Sequence, residues 1–165
     1  MSGQVPSDQP QRSTDIARLN LAKLRIEDGV TLQTVFQRVN ETAATTLNVE
    51  RVGIWLLVDQ RQSLRCVELF ELSKSTHSSG ITLHKKDFPE YFVALEQRKT
   101  VPAEIANSDP RTSGLADVYL APLGITSMLD APILVGGEVV GVVCHEHVGP
   151  PREWTTEERD FAGSI

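Results

Sequence analysis

Between Thr31 and Leu47 the apolar side chains return every three or four residues, with Leu32, Val35, Phe36, Val39, Ala43 and Leu47 on one stripe. That spacing predicts an amphipathic helix with one buried face. A looser stripe through Ile16, Leu19, Ala22, Leu24 and Ile26 predicts an earlier helix from Asp15 to about Ile26. Residues 1–13 have no period and are rich in Pro, Gln, Ser and Gly, so they read as a flexible leader, with the folded domain over 14–165. After Leu47 the period changes to two. In RVGIWLLVD, Val52, Ile54, Leu56 and Val58 share one face while Trp55 and Leu57 take the other. A strand apolar on both faces has to be covered on both. SLRCVELFEL predicts the next strand, joined to the first by the polar turn Asp59 to Ser63 and so its antiparallel neighbour.

KSTHSSG reads as a loop, and Asp87 as the cap of a helix reaching about Lys99, with Pro89 in its first turn where a missing N–H costs little. TVPAEIA predicts a short extended piece, NSDPRTSG a turn-rich loop, and LADVYLAPLG a helical turn closed by Gly124. SMLDAPILVGGEVVGVVCHEH predicts two strands folded back at Gly136-Gly137. Thr155 and Glu158 stand at capping-box spacing and open a final helix.

Composition narrows the function more than the fold. At 165 residues, 40% apolar and 23% charged, the chain suits one ordinary globular core. A net charge of −6 and a pI near 5.2 argue against phosphate backbones and anionic lipid as partners, so neither nucleic acid nor membrane is expected. No apolar run approaches the roughly 20 residues of a membrane span, and the N-terminus has no signal-peptide core, so the expected location is cytoplasmic. Cys66 and Cys144 are the only cysteines and form no CxxC pair. They read as two buried reduced thiols.

Three segments carry a family resemblance: VERVGIWLLV, YLAPLGITSMLDAPILVGGEVVGVVCHEH and REWTTEERDFAGSI. They resemble the first strand, last hairpin and exit helix of GAF domains from bacterial sensor kinases and cyclic-dinucleotide signalling proteins, over about residues 26 to 165. The resemblance implies an α+β fold: an antiparallel sheet of about 5–6 strands, the N- and C-terminal helices on one face, and a ligand pocket under a helical insertion on the other. It also implies a homodimer paired through terminal helices, and an exit helix running on into an output domain such as a histidine kinase or a diguanylate cyclase.

Matching the GI…S and GVVC segments to bilin-binding GAF domains implies that Met128, Asp130, Cys144 and Glu146 face the pocket, joined by Trp55 and Tyr119. Aromatic walls with a few polar groups suit a small planar or amine-bearing ligand. Asp130 has an equal reading as a structural acceptor for loop groups such as Arg111. Phe92, with Phe88 and Tyr91, either lines the pocket or packs it shut. The bilin-binding relatives attach their pigment through a cysteine just before a histidine; Leu115 and Ala116 stand at those positions here, so no covalent bilin is expected. The cyclic-nucleotide motif of phosphodiesterase GAF domains is not recognisable. The branch that reduces methionine sulfoxide needs cysteines on the insertion, and residues 73–127 contain none.

His145 and His147 lie two apart on a strand, which raises a metal site only if a third ligand joins them, with Cys66, Glu68 and Glu153 as candidates. Cys144 is a redox thiol only if its pKa is lowered. Arg51 and Arg152 read as ion-pair partners of neighbouring carboxylates. The expectation is therefore a regulatory domain and not an enzyme, sensing an unknown small molecule. Its rival is a ligand-free dimerisation and relay module.

Overall fold

A computed structural model describes residues 9–22 and 30–165. Helix α1 spans Gln9–Ala22 and α2 spans Leu32–Leu47. The start of α1 falls inside the stretch read as leader; Leu24, Ile26 and residues 1–8 lie outside the described residues. Thr31 caps α2, its side chain accepting from the Thr34 N–H, and Asn48 ends it in the left-handed region.

Strands β1 (Arg51–Val58), β2 (Ser63–Glu71), β3 (Thr76–Ser78), β4 (Thr82–His84), β5 (Val101–Ala103), β6 (Ile125–Val135) and β7 (Glu138–Val148) form one antiparallel sheet. Its order is β3-β2-β1-β7-β6-β5, with β4 also paired to β2. The seven strands exceed the 5–6 expected because KSTHSSG is not all loop: it contains β3, and β4 follows at once. Three-residue strands are too short to display a period. The β6–β7 hairpin turns at Gly136 and Gly137, whose φ values of 58° and 81° favour glycine in both central positions.

Helix α3 (Pro89–Glu96) sits between β4 and β5, and α4 (Ala121–Leu123) closes a 3-10 turn and a π turn at Ser113–Leu115 and Ala116–Leu120. Asp87 does not cap α3: its own N–H closes a turn onto the His84 carbonyl, and the cap position falls one residue later, on Phe88, which offers no side-chain cap. The helix also stops before Lys99, since Arg98 turns to φ 60°. Gly124 ends α4 in the left-handed region as expected.

The sheet separates two cores. On one face Val52, Ile54, Phe70, Leu129 and Val143 pack with Ala43, Ala44 and Leu47 of α2, Ala17 of α1, and Phe161 of α5 (Thr156–Ala162). α5 opens with the Thr155/Glu158 capping box. Arg152 ties the two helix ends together, donating to the Leu47 carbonyl at 2.9 Å while pairing with Glu158 and lying over the Trp154 ring. On the other face Trp55, Leu64, Cys66, Met128, Val142 and Cys144 lie under Tyr91, Phe92, Leu115 and Tyr119 of the insertion.

Candidate functional site

Strand alternation decides what the insertion face holds. Met128 and Asp130 on β6 stand opposite Glu146 and Cys144 on β7, in register Met128↔Glu146 and Asp130↔Cys144. β1 adds Arg51, Gly53 and Trp55 by the same period, with Gly53 opposite Cys144 and Arg51 opposite Glu146. A side chain at Gly53 would place its Cβ 2.8 Å from Trp55 Nε1, so the indole lies where only glycine leaves room. Trp55, Phe92, Tyr119, Met128 and Cys144 join one buried cluster, and Asp130 and Glu146 bond to its tyrosines. The structure thus brings together the seven candidate ligand-binding residues read from the sequence. Their space is filled: Phe92 and Tyr91 come down from α3, Leu115 and Tyr119 from the turns before α4.

The two carboxylates are finished differently. Glu146 accepts from Tyr119 Oη at 2.8 Å and from Arg51 Nε at 2.9 Å, and Arg51 also donates to Glu71 at 2.9 Å. Burial raises the Glu146 pKa, opposed by the Arg51 charge and the tyrosine bond. Burial, the largest single influence, would lower Arg51, but the charge and hydrogen bonding of Glu146 and Tyr119 together outweigh it and hold the guanidinium above its ordinary value. Asp130 is 0% exposed and accepts from Tyr91 Oη at 2.6 Å through Oδ2, while Oδ1 has no partner. Burial pushes its pKa up to about 7, with the Tyr91 bond opposing and the Glu146 charge adding. Arg111, the loop partner considered for Asp130, instead forks onto Asp109 at 2.7 Å and donates to the Pro102 carbonyl at 2.6 Å.

The cysteines are neutral thiols. Burial pushes Cys66 up to about 12 and Cys144 well above its ordinary value, and Tyr91 Oη lies 3.4 Å from Cys144 Sγ. His145 and His147 do not converge. His145 faces the helices with Nδ1 2.6 Å from the Leu129 carbonyl, while His147 turns to the Pro150 carbonyl at 3.0 Å. Among the described residues no group of three His, Cys, Asp or Glu side chains is disposed to hold a metal ion.

Two grooves flank the site. One of about 420 Å³ reaches Arg51 from solvent between Glu71, Lys74, Pro122 and Val148. Another of about 420 Å³ lies between the loop after β5 and α5, where Glu104 approaches Arg159 at 3.6 Å.

Sequence reasoning treated Arg51 only as an ion-pair partner of neighbouring carboxylates, which it is, although strand alternation from Trp55 also places it on the pocket face. It missed a seam on the helix side: Glu68, 2% exposed, receives Gln33 Nε2 of α2 at 2.8 Å and pairs with His77, whose other nitrogen reaches Glu41 at 3.0 Å. No sequence signal announces it.

The sequence profile of the GAF domain matches residues 31–165. No curated protein matches the chain in sequence. Among solved structures, the phycocyanobilin-bound GAF domain of a cyanobacterial phytochrome superposes with TM-score 0.73 at 16% identity, covering 92% of this chain and 88% of that one. The GAF domain of an Acinetobacter phosphoenolpyruvate-protein phosphotransferase does so with TM-score 0.67 at 15% identity, covering 94% and 87%. The chromophore-binding domain of a Stigmatella aurantiaca phytochrome gives TM-score 0.71 at 13% identity; the match covers 99% of this chain but 59% of that longer one.

Proposed function

The chain belongs to the GAF domain family, and from that premise we propose that it is a small-molecule-sensing regulatory domain of a signal-transduction protein. Asp130 carries the reading. It is a fully buried carboxyl with no ion-pair partner among the described residues, one oxygen unpartnered, under a short helix. Such a group opposes folding more than it supports it, and a buried carboxyl left part-unpartnered calls for a further partner, which a ligand would supply. The ligand is held without a covalent bond, since Leu115 and Ala116 replace the attachment pair of bilin-binding relatives. Burial holds both thiols above their ordinary pKa, which disfavours the nucleophilic thiolate, and we propose a regulatory and not a catalytic role.

The signal leaves through α1, α2 and α5 on the opposite face. A ligand moves them only by binding one helix arrangement better than another. Ile16 and Leu19 of α1, 58% and 60% exposed, support pairing of two copies along the terminal helices. A C-terminal histidine kinase or diguanylate cyclase would receive the signal. No helix among the described residues is long and apolar enough to cross a membrane, and we place the domain in the cytoplasm.

A second reading, a ligand-free dimerisation and relay module, is favoured by the packed state of the insertion face. Native mass spectra of freshly purified protein beside denatured spectra separate the two. The sensor reading expects an added mass that denaturation removes, and expects Asp130→Ala to lose it while remaining folded. A bare dimer favours the relay module, and a passenger retained by folded Asp130→Ala removes Asp130 from the site.

A further inference from the structure

The insertion face is covered by α3, and few polar ties hold that helix down. The helix has 8 residues and no side-chain cap at its N-terminus. Helices so short do not persist in water and depend on packing. Its buried face is Tyr91, Phe92, Ala94 and Leu95. Only Tyr91 among these is polar, and its ring stands edge-on to Phe92 at 6.4 Å while the phenol reaches Asp130 and Cys144. The other polar tie from α3, Glu96 to Lys85 at 2.9 Å, is at the half-exposed rim, where such pairs contribute little.

Tyr119 makes the equivalent bond to Glu146, but there Arg51 shares the carboxylate and neutralises it. Asp130 has Tyr91 and the neutral Cys144 thiol beside it and no cation in contact, Arg111 acting on it only from a distance. We infer that Tyr91 is a tethered occupant of the Asp130 subsite, and that the diffusible ligand which displaces it is a compact aromatic compound carrying a hydroxyl donor. The inference rests on the sensing reading above and names its ligand class. What fits this subsite is visible from what the chain itself puts there: an aromatic ring in an apolar wall, with one O–H aimed at a desolvated carboxyl. An incoming phenol replaces both at once and needs no new polar group from the protein. Burial has already brought Asp130 to about 7, so a carboxyl that Tyr91 leaves takes up a proton near neutrality instead of standing as a buried charge. Closure also competes with ligand: affinity is reduced by the fraction of molecules in which α3 is down.

The test is titration of wild type and Tyr91→Ala with 4-methylphenol, using toluene as a control of the same shape without the donor, read by calorimetry. Tyr91→Ala is expected to bind 4-methylphenol at least about tenfold more tightly than wild type and to prefer it about tenfold over toluene, the scale of one buried hydrogen bond. Adding Asp130→Ala to Tyr91→Ala is expected to erase that preference. Equal binding of toluene, a preference that survives loss of Asp130, or a folded Tyr91→Ala that takes up neither compound overturns the inference. If Tyr91→Ala does not fold, Tyr91→Phe keeps the ring and removes only the donor. Amide exchange over residues 89–96 should then quicken about tenfold while β6 and β7 keep their rates, and unchanged exchange over 89–96 overturns it. A wild type that carries no natural passenger counts against the sensing reading, whereas a failed titration counts against the subsite, so the two failures are distinguishable.

Discussion

The two faces of the sheet bury side chains to the same depth but complete their polar groups in opposite ways. On the helix face most polar side chains tie elements to backbone: Asn40 donates to the Glu68 carbonyl at 3.2 Å, half-buried Arg152 to the Leu47 carbonyl, and His145 lies on the Leu129 carbonyl, while the buried acid Glu68 is met by Gln33 and His77. That face also leaves Asn40 Oδ1, His145 Nε2 and Trp154 Nε1 unpartnered, but these are atoms of neutral groups. On the insertion face the polar groups are acids met by phenols, and one acid has no cation. Burial therefore acts with opposite sign on the two faces. It depresses His145 to about 4 and raises Asp130 to about 7. The helix face is a finished core that joins α2 to α5, while the insertion face keeps an ionisable group under a lid held by few polar ties.

The largest expected effect breaks the better-compensated acid. Arg51→Ala leaves Glu146 buried without its cation and should cost about 3–5 kcal/mol in urea unfolding, whereas replacing the pair together with Met and Leu should recover most of that loss. If Arg51→Ala costs under about 1 kcal/mol, the pair is wetter than its burial implies.

Next in size is a pair of opposed pH dependences. Asp130 ionises at about 3.8 unfolded and about 7 folded, so the folded state holds more protons across that window and stability falls as pH rises through it. His145 titrates at about 6.5 unfolded and about 4 folded, so the unfolded state holds more protons and stability falls as pH drops through that window. Each slope approaches at most about 1.4 kcal/mol per pH unit, and between about pH 4 and 6.5 they oppose. Relative to wild type, Asp130→Asn should therefore gain stability as pH rises across this range, and His145→Asn should lose it. Urea midpoints that move in the same direction for both variants would break the contrast. The smallest effect is on the helix face alone: Thr155→Ala removes half of the α5 capping box and should cost about 1 kcal/mol without altering ligand uptake, as read by thermal unfolding with and without ligand.

Much of this arrangement was legible in the residues. The Gly136-Gly137 hairpin joins two strands of 11 residues, long enough for alternation to keep Met128 with Asp130 and Cys144 with Glu146, while their place on the pocket face followed from the family resemblance. Trp55 and Tyr119 followed from the family resemblance. What could not be read is local and cooperative. The register shift opposite Ile54 and Trp55 lets Cys66 stay on the insertion side while Glu68 and Phe70 turn toward α2. Strict alternation would have kept Cys66, Glu68 and Phe70 together, which hides the Glu68–His77 seam. The π turn at Ala116–Leu120 and the three-residue strands have no period to detect. The Tyr91–Asp130 bond joins residues 39 apart in sequence, and neither residue type specifies the other as its partner.

The central claim is that the insertion face opens independently of the helix face, and native-state hydrogen exchange measures this directly. The account predicts that amides of α3 and β5 exchange through a local opening at lower free energy than those of β1, β6 and β7, and that α2 and α5 stay protected meanwhile. If α3 exchanges only with global unfolding, together with β6 and β7, the insertion face is a closed core and the sensing account is wrong.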